Sequence, residues 1–292
     1  MKKPDNTLTP IYIFGKNGAK GWPPKADGRR KIALFLDFDG TLAPIQKNPA
    51  ESTLPDELRR QLKTLSDTDC CTVSILSGRR LYDIKKMIGI HNIYYGGNHG
   101  IDICGPGLRY THPEAMRVKP LIDNLKKRLE KEIQGIDGAW LEGKLFTLSL
   151  HFRAVKQNNI RFVKKIFYRV IEDFPEKGRL SVIRGKKVLE LLPNISWNKG
   201  EACFWLLKQW GDRYLPVYIG DDTTDETAFK ALRKTGITIR IGKSRNTSAR
   251  FYLKGYWEVP RLLEQLRDII KKPVLYSEFE GEAKYSCGNR LH

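Results

Sequence analysis

No apolar run in the sequence approaches the ~20 residues that span a bilayer. The opening, MKKPDNTLTPIYIFG, also lacks the continuous apolar region of a secretory leader. A soluble, cytoplasmic protein with no membrane partner is therefore expected. Cysteine is scarce: Cys70, Cys71, Cys104, Cys203 and Cys287 are odd in number and show no CxxC spacing. They read as reduced thiols rather than a disulfide frame or a zinc site. No internal repeat is present, and acidic residues are few. Against 33 Asp and Glu stand 52 Lys and Arg, a formal charge of +19 over 292 residues. That balance favours anionic partners. Yet the basic residues are scattered in pairs such as Arg29/Arg30 and Lys127/Lys128, without the interleaved aromatics of an RNA-binding sheet. Nucleic acid is not expected as a partner; a small molecule is, with the chain acting as a monomer.

What is present is organised around KIALFLDFDGTLAP at 31–44, where the apolar run 32–36 ends abruptly in Asp37 and Asp39. A short strand apolar on both faces belongs in a parallel sheet covered by helices. In such sheets the ligand crevice lies beyond the carboxyl ends of the strands. Helical spacing at 53–66, with Pro55 early and Thr53 or Ser52 as cap, a strand at 71–76, a helix at 81–88 and a short strand at 93–95 continue the alternation. The pattern then changes. A basic amphipathic helix over 115–133, strict alternation over 139–153, a helix over 159–174 and strands at 180–183 and 187–192 predict a compact α+β insertion. Strands at 215–219 and 237–241, with helices at 199–210 and 259–270, restore the first pattern.

The expected fold is α/β: a Rossmann-like parallel-sheet core with helices on both faces, plus an inserted α+β cap domain. The core takes 31–103 and 197–271 and the cap 104–196. A loosely structured arm at 1–30, with Trp22 as its candidate anchor, and a disordered tail at 272–292 flank them.

Side by side in one sheet, the strand ends carry Asp37 and Asp39, then Ser77, then Asp221 and Asp222, with Lys199 at the start of a helix. Crowded carboxylates need a counter-charge, and a hard divalent cation, most naturally Mg²⁺, supplies one. Two acids two residues apart suit phosphate-ester hydrolysis: one attacks phosphorus, the other protonates the leaving alkoxide. Gly40 allows close backbone approach, Thr41 offers a hydroxyl, and Ser77, Gly78 and Lys199 suit the phosphate oxygens.

DFDGT at 37–41, Ser77, Lys199 and GDDTTD at 220–225 resemble the four ordered motifs of the haloacid dehalogenase superfamily. The resemblance implies Asp37 as nucleophile and Asp39 as general acid and base. It also implies Mg²⁺ on the Asp37 carboxylate, the Asp39 carbonyl and Asp221, with Asp222 and Asp225 behind them, one orienting Lys199. Further stretches, DFDGTLAPI, LSGR, GNHG, LEGK, HFR, GKKVLELLP and WNKG, are similar to the trehalose-6-phosphate phosphatase family. In that family the cap reads the disaccharide, a role the resemblance carries onto Glu142, Lys144, Lys186 and Glu190. Arg79, Asn98 and His99 are further candidates for substrate contact, with turn fixing the alternative for His99. His151 and Arg153 are read as supports of the cap sheet. The implied substrate is trehalose 6-phosphate, and the alternatives are sucrose, mannosylglycerate or glucosylglycerate phosphate, which the same core chemistry would hydrolyse.

Overall fold

The computed structural model describes residues 9–16, 22, 31–46, 48–185 and 187–271. The tail at 272–292, most of the arm and Lys186 lie outside the described residues. The chain enters through β1 (Ile11–Tyr12) and reaches β2 (Lys31–Leu36), the apolar strand that precedes the first acids. Next come α1 (Asp56–Ser66), β3 (Cys71–Leu76), α2 (Leu81–Ile88) and β4 (Tyr94–Gly97), followed by a hairpin of β5 (Asp102–Gly105) and β6 (Leu108–Thr111). The insertion comprises α3 (Pro113–Ile133), β7 (Trp140–Lys144), β8 (Thr147–His151), α4 (Ile160–Glu172), β9 (Leu180–Gly185) and β10 (Val188–Pro193). Last are α5 (Lys199–Trp210), β11 (Tyr214–Gly220), α6 (Glu226–Leu232), β12 (Ile237–Ile241), β13 (Phe251–Leu253) and α7 (Val259–Lys271).

The large sheet has the order β1-β13-β12-β11-β2-β3-β4-β5-β6. Its strands are parallel from β1 to β4 and antiparallel from there to β6. Two-residue periodicity splits β2 cleanly between two cores. Ile32, Leu34 and Leu36 pack with Leu58 and Leu62 of α1, Ile84 of α2 and Leu262 of α7. Ala33 and Phe35 pack on the opposite face with Cys203 and Leu206 of α5 and Phe229 of α6. Both faces are therefore dry, which is why the strand shows no polar alternation. Truncating one such buried leucine to alanine removes about 2–5 kcal/mol.

The smaller sheet, β7-β8-β10-β9, is antiparallel throughout. One face buries Leu148, Leu150, Leu189 and Leu191 against Leu125 of α3 and Phe167 of α4, in a core of its own. On the other face Glu142 stands opposite Ser149, and Ser149 opposite Glu190. This polar face turns toward the carboxyl ends of β2, β3 and β11, where the strand-end acids lie.

Local outcomes differ from the sequence reading in places. The arm contributes β1, which pairs in parallel with β13 and buries Ile13. Two residues are too few to display a strand period. Trp22 is buried and its indole N–H donates to Gln265 Oε1 at 2.6 Å. The hairpin through Thr111 continues the large sheet, although the reading gave residues from 104 onward to the insertion. Its partly buried strand carries too little apolar alternation to reveal that pairing. Helix α1 begins at Asp56 with Pro55 ahead of it and no side-chain cap. Ser52, offered as that cap, directs its hydroxyl to Asp39 instead.

Candidate active site

Strand β2 ends at Leu36, and a tight turn holds the next residues: Gly40 N–H donates to the Ala43 carbonyl, and Leu42 and Ala43 N–H both donate to the Phe38 carbonyl. Gly40 has φ +87°, and a Cβ there would lie 2.2 Å from the Asp221 carboxylate. Only glycine lets the β2 and β11 ends come this close. At the end of β11, Asp225 accepts from the backbone N–H groups of Asp221 and Asp222, both at 3.0 Å, and from the Tyr218 hydroxyl at 2.7 Å. Asp222 caps the following turn by accepting from Thr223 N–H.

Lys199 opens α5, whose N-cap Asn198 accepts from the N–H groups of Gly200 and Glu201. Its buried ammonium donates to Asp37 Oδ1 at 2.6 Å and to Asp225 Oδ1 at 2.7 Å. Burial works against that charge, but Asp225 and Asp37 outweigh it and hold the ammonium above its usual range. Burial likewise pushes the Asp37 carboxyl well up; Lys199 pulls it down, while Asp225 and Asp221 push it further up. Asp221 is raised to about 7, by burial first and Asp225 second.

One oxygen of Asp221 is buried without any hydrogen-bond partner, and oxygens of Asp37, Asp221 and Asp225 lie within 4.8 Å of one another. An orphaned carboxylate oxygen beside a second carboxylate is a donor set for a hard divalent cation. Asp225 is already committed to Lys199, Tyr218 and two backbone amides, so Asp37 and Asp221 are the side chains that fit the ion. Asp39 is held apart by Arg79, whose Nε and Nη2 donate to its two carboxylate oxygens at 2.7 and 2.6 Å. Ser77 Oγ accepts from Arg79 N–H, which fixes the serine and the arginine on one turn.

Across the cavity, the polar face of the small sheet supplies a second charged cluster. Glu190 receives Lys144 at 2.9 Å and Thr147 at 3.0 Å, and lies 3.0 Å from His99 Nε2 of the large sheet's turn. Burial would raise the Glu190 carboxyl, yet Lys144 and His99 together hold it well below the usual range. Lys144 is held above its usual range, because Glu190 and Glu142 outweigh its burial. Glu142 pairs with His151 at 2.9 Å, and the His151 ring stacks on Trp140 with centroids 4.0 Å apart.

These groups line one cavity of about 280 Å³: Asp37, Asp39, Ser77, Gly78, Arg79, His99, Glu142, Lys144, Glu190, Lys199, Asp221 and Asp222. Gly40, Thr41, Asn98 and Asp225 do not line it. Thr41 is fully buried with its hydroxyl unpartnered, and Lys186 is outside the described residues. His151 and Arg153, read as cap supports, do line the cavity. Ser52, Trp140 and Ser149 also line it without having been foreseen. Trp140 was legible, since it shares the alternation of Glu142 and Lys144. Ser52 carried no signal, because its contact with Asp39 crosses a loop.

Comparison with known proteins comes to the same place. The family model described as trehalose-phosphatase matches residues 35–256. Trehalose-phosphate phosphatase B of Arabidopsis thaliana is 35% identical over 274 residues, covering 88% of this chain and 70% of that protein. A probable trehalose-phosphate phosphatase 4 of Oryza sativa subsp. japonica is 36% identical, over 81% of this chain and 66% of its own length. Among solved structures, the C-terminal domain of C. albicans trehalose-6-phosphate phosphatase superposes with a TM-score of 0.70 at 22% identity, covering 91% of this chain and 99% of that one. That likeness is one of fold.

Proposed function

The chain belongs to the trehalose-phosphatase family, and from that premise we infer that it hydrolyses trehalose 6-phosphate to trehalose and phosphate with Mg²⁺ as the metal. One observation carries the reading: a single cavity joins the buried Lys199–Asp37 contact to the polar face of the small sheet. The first suits a phosphoryl group, the second a polyhydroxylated leaving group whose hydroxyls pair with carboxylates and ammonium.

Lys199 occupies one oxygen of Asp37, leaving the other to attack phosphorus in line. As the phosphorus bond to the sugar oxygen breaks, Asp39 delivers a proton to that oxygen and trehalose departs. Water then attacks the aspartyl phosphate, Asp39 takes its proton, and inorganic phosphate leaves with Asp37 restored. Arg79 must release Asp39 for the proton to be carried, and an incoming phosphate is a competing bidentate partner for the guanidinium. Asp37 and Asp221 would hold the metal, together with the Asp39 carbonyl. Bound there, the ion offsets the carboxylate charge and polarises the phosphate. Glu142, Lys144 and Glu190 read the sugar, and the insertion acts as a cap.

Phosphate release from a panel of sugar phosphates tests this. Trehalose 6-phosphate is expected to show the highest kcat/KM, and a chelator to abolish turnover. Preference for another sugar phosphate would move the substrate while leaving the metal chemistry. Asp37→Asn should fold and release no phosphate; substantial residual release would remove Asp37 as nucleophile.

A further inference from the structure

A second cavity, of about 370 Å³, opens between α2, the β5–β6 hairpin and the turn between β7 and β8; Arg80, Lys85, Asn98, Asp102, Arg109 and Leu145 are among the residues around it. Its volume is within the range of small-molecule sites, and none of its lining residues belongs to the catalytic cavity. Asn98 is fully buried, and neither its carboxamide oxygen nor its nitrogen has a hydrogen-bond partner. Leaving a buried polar group unmatched costs about 1–3 kcal/mol, so an amide unmatched on both atoms marks a place for a ligand with donor and acceptor groups.

Charge narrows the ligand class. Three cations stand against one carboxylate around the cavity. Asp102 is committed to Thr111 at 2.9 Å and Arg109 at 3.1 Å, and burial raises its carboxyl. Arg80 is near Asp83 at 3.6 Å, whereas the exposed Lys85 ammonium has no carboxylate within 4.0 Å among the described residues. The first turn of α2 borders the same space, and its N-terminus has no side-chain cap. Uncapped amides and surplus cations attract a phosphate group.

The two cavities divide sequence neighbours between them. Arg79, His99 and Lys144 line the catalytic cavity, while Arg80, Asn98 and Leu145 line the second. Asn98 N–H also donates to the Arg79 carbonyl, and His99 N–H to the Ser77 carbonyl. We propose that the second cavity binds a phosphorylated metabolite of monosaccharide size, and that its occupancy alters turnover by shifting these shared turns. Anything that displaces Asn98 moves His99, and His99 is the core's contact with Glu190.

The test uses the full chain without metal, and substitutions at Lys85 and Arg109, which do not line the catalytic cavity, assign the binding to one cavity or the other. Calorimetric titration with glucose 6-phosphate is expected to show one site, bound more tightly than orthophosphate. Lys85→Glu should weaken it at least tenfold, and Arg109→Gln, confirmed folded by circular dichroism, should act likewise. Binding unchanged in Lys85→Glu, or orthophosphate bound as tightly as the sugar phosphate, would overturn the site. The kinetic arm measures aryl phosphate hydrolysis with Mg²⁺, so it does not depend on the trehalose assignment. Glucose 6-phosphate should change kcat at least twofold at saturating substrate in the native chain and not in Lys85→Glu. Purely competitive behaviour in both would overturn the coupling.

Discussion

Asp225 was legible as one of two acids of which one would orient Lys199, and it is Asp225 that does so. Its bonds to Tyr218 and two backbone amides were not legible, since they depend on how the end of β11 turns. It accepts from Lys199, Tyr218 and two backbone amides, so Asp225→Asn leaves a buried ammonium half paired. That should destabilise the fold by about 3 kcal/mol, read from urea unfolding. Gly40→Ala sets a Cβ against the Asp221 carboxylate at a left-handed φ. Activity should fall at least a hundredfold with the circular dichroism spectrum retained; near-native turnover would mean that the two strand ends need not meet. Asp221 gives a pH dependence. Its carboxyl rises from 3.8 to about 7, so the metal-free fold binds that proton more tightly than the unfolded chain does. The stability this contributes is full below about pH 4 and is lost as pH rises through about 7. Melting temperature without metal should fall across that window, and Mg²⁺ should raise it more at about pH 8 than at about pH 5. An equal metal effect at both would remove Asp221 from the site.

Elements with a strong period were readable, and those without one were not. β2 and β3 announce themselves as apolar runs ending in reactive groups, and the alternation at β7 and β8 follows from one wet face. β1 is held by β13, far away in sequence, while the β5–β6 hairpin joins the sheet through its neighbour β4 in strands of four residues, too short to show a period. Their own residues say little. The arm's anchor makes a test at this scale. Trp22→Ala removes a buried indole from the core beside α7 and its bond to Gln265. A loss of about 3 kcal/mol is expected in thermal or urea unfolding, with kcat/KM unchanged at low temperature. A drop in kcat/KM without loss of stability would tie the arm to the site instead.

At the scale of the whole molecule, two sheets with separate cores meet across one cavity, where Glu190 of the small sheet pairs with His99 of the large sheet's turn, and Phe146 of the β7–β8 turn packs on Ile101 beside it. Glu190→Gln should raise KM for trehalose 6-phosphate at least tenfold while changing KM for an aryl phosphate less than threefold. Equal effects would make the contact structural. The insertion leaves and re-enters the core at nearly one point, with the His112 and Trp197 rings 5.0 Å apart and the Trp197 indole bonded to the Gly100 carbonyl at 2.7 Å. Such a neck makes the insertion, for which we propose the reading of the leaving group, a cassette. It can be excised, exchanged or diversified at two adjacent junctions while the acids on the strand ends keep their register, so new substrates become accessible by grafting rather than by rebuilding the catalyst.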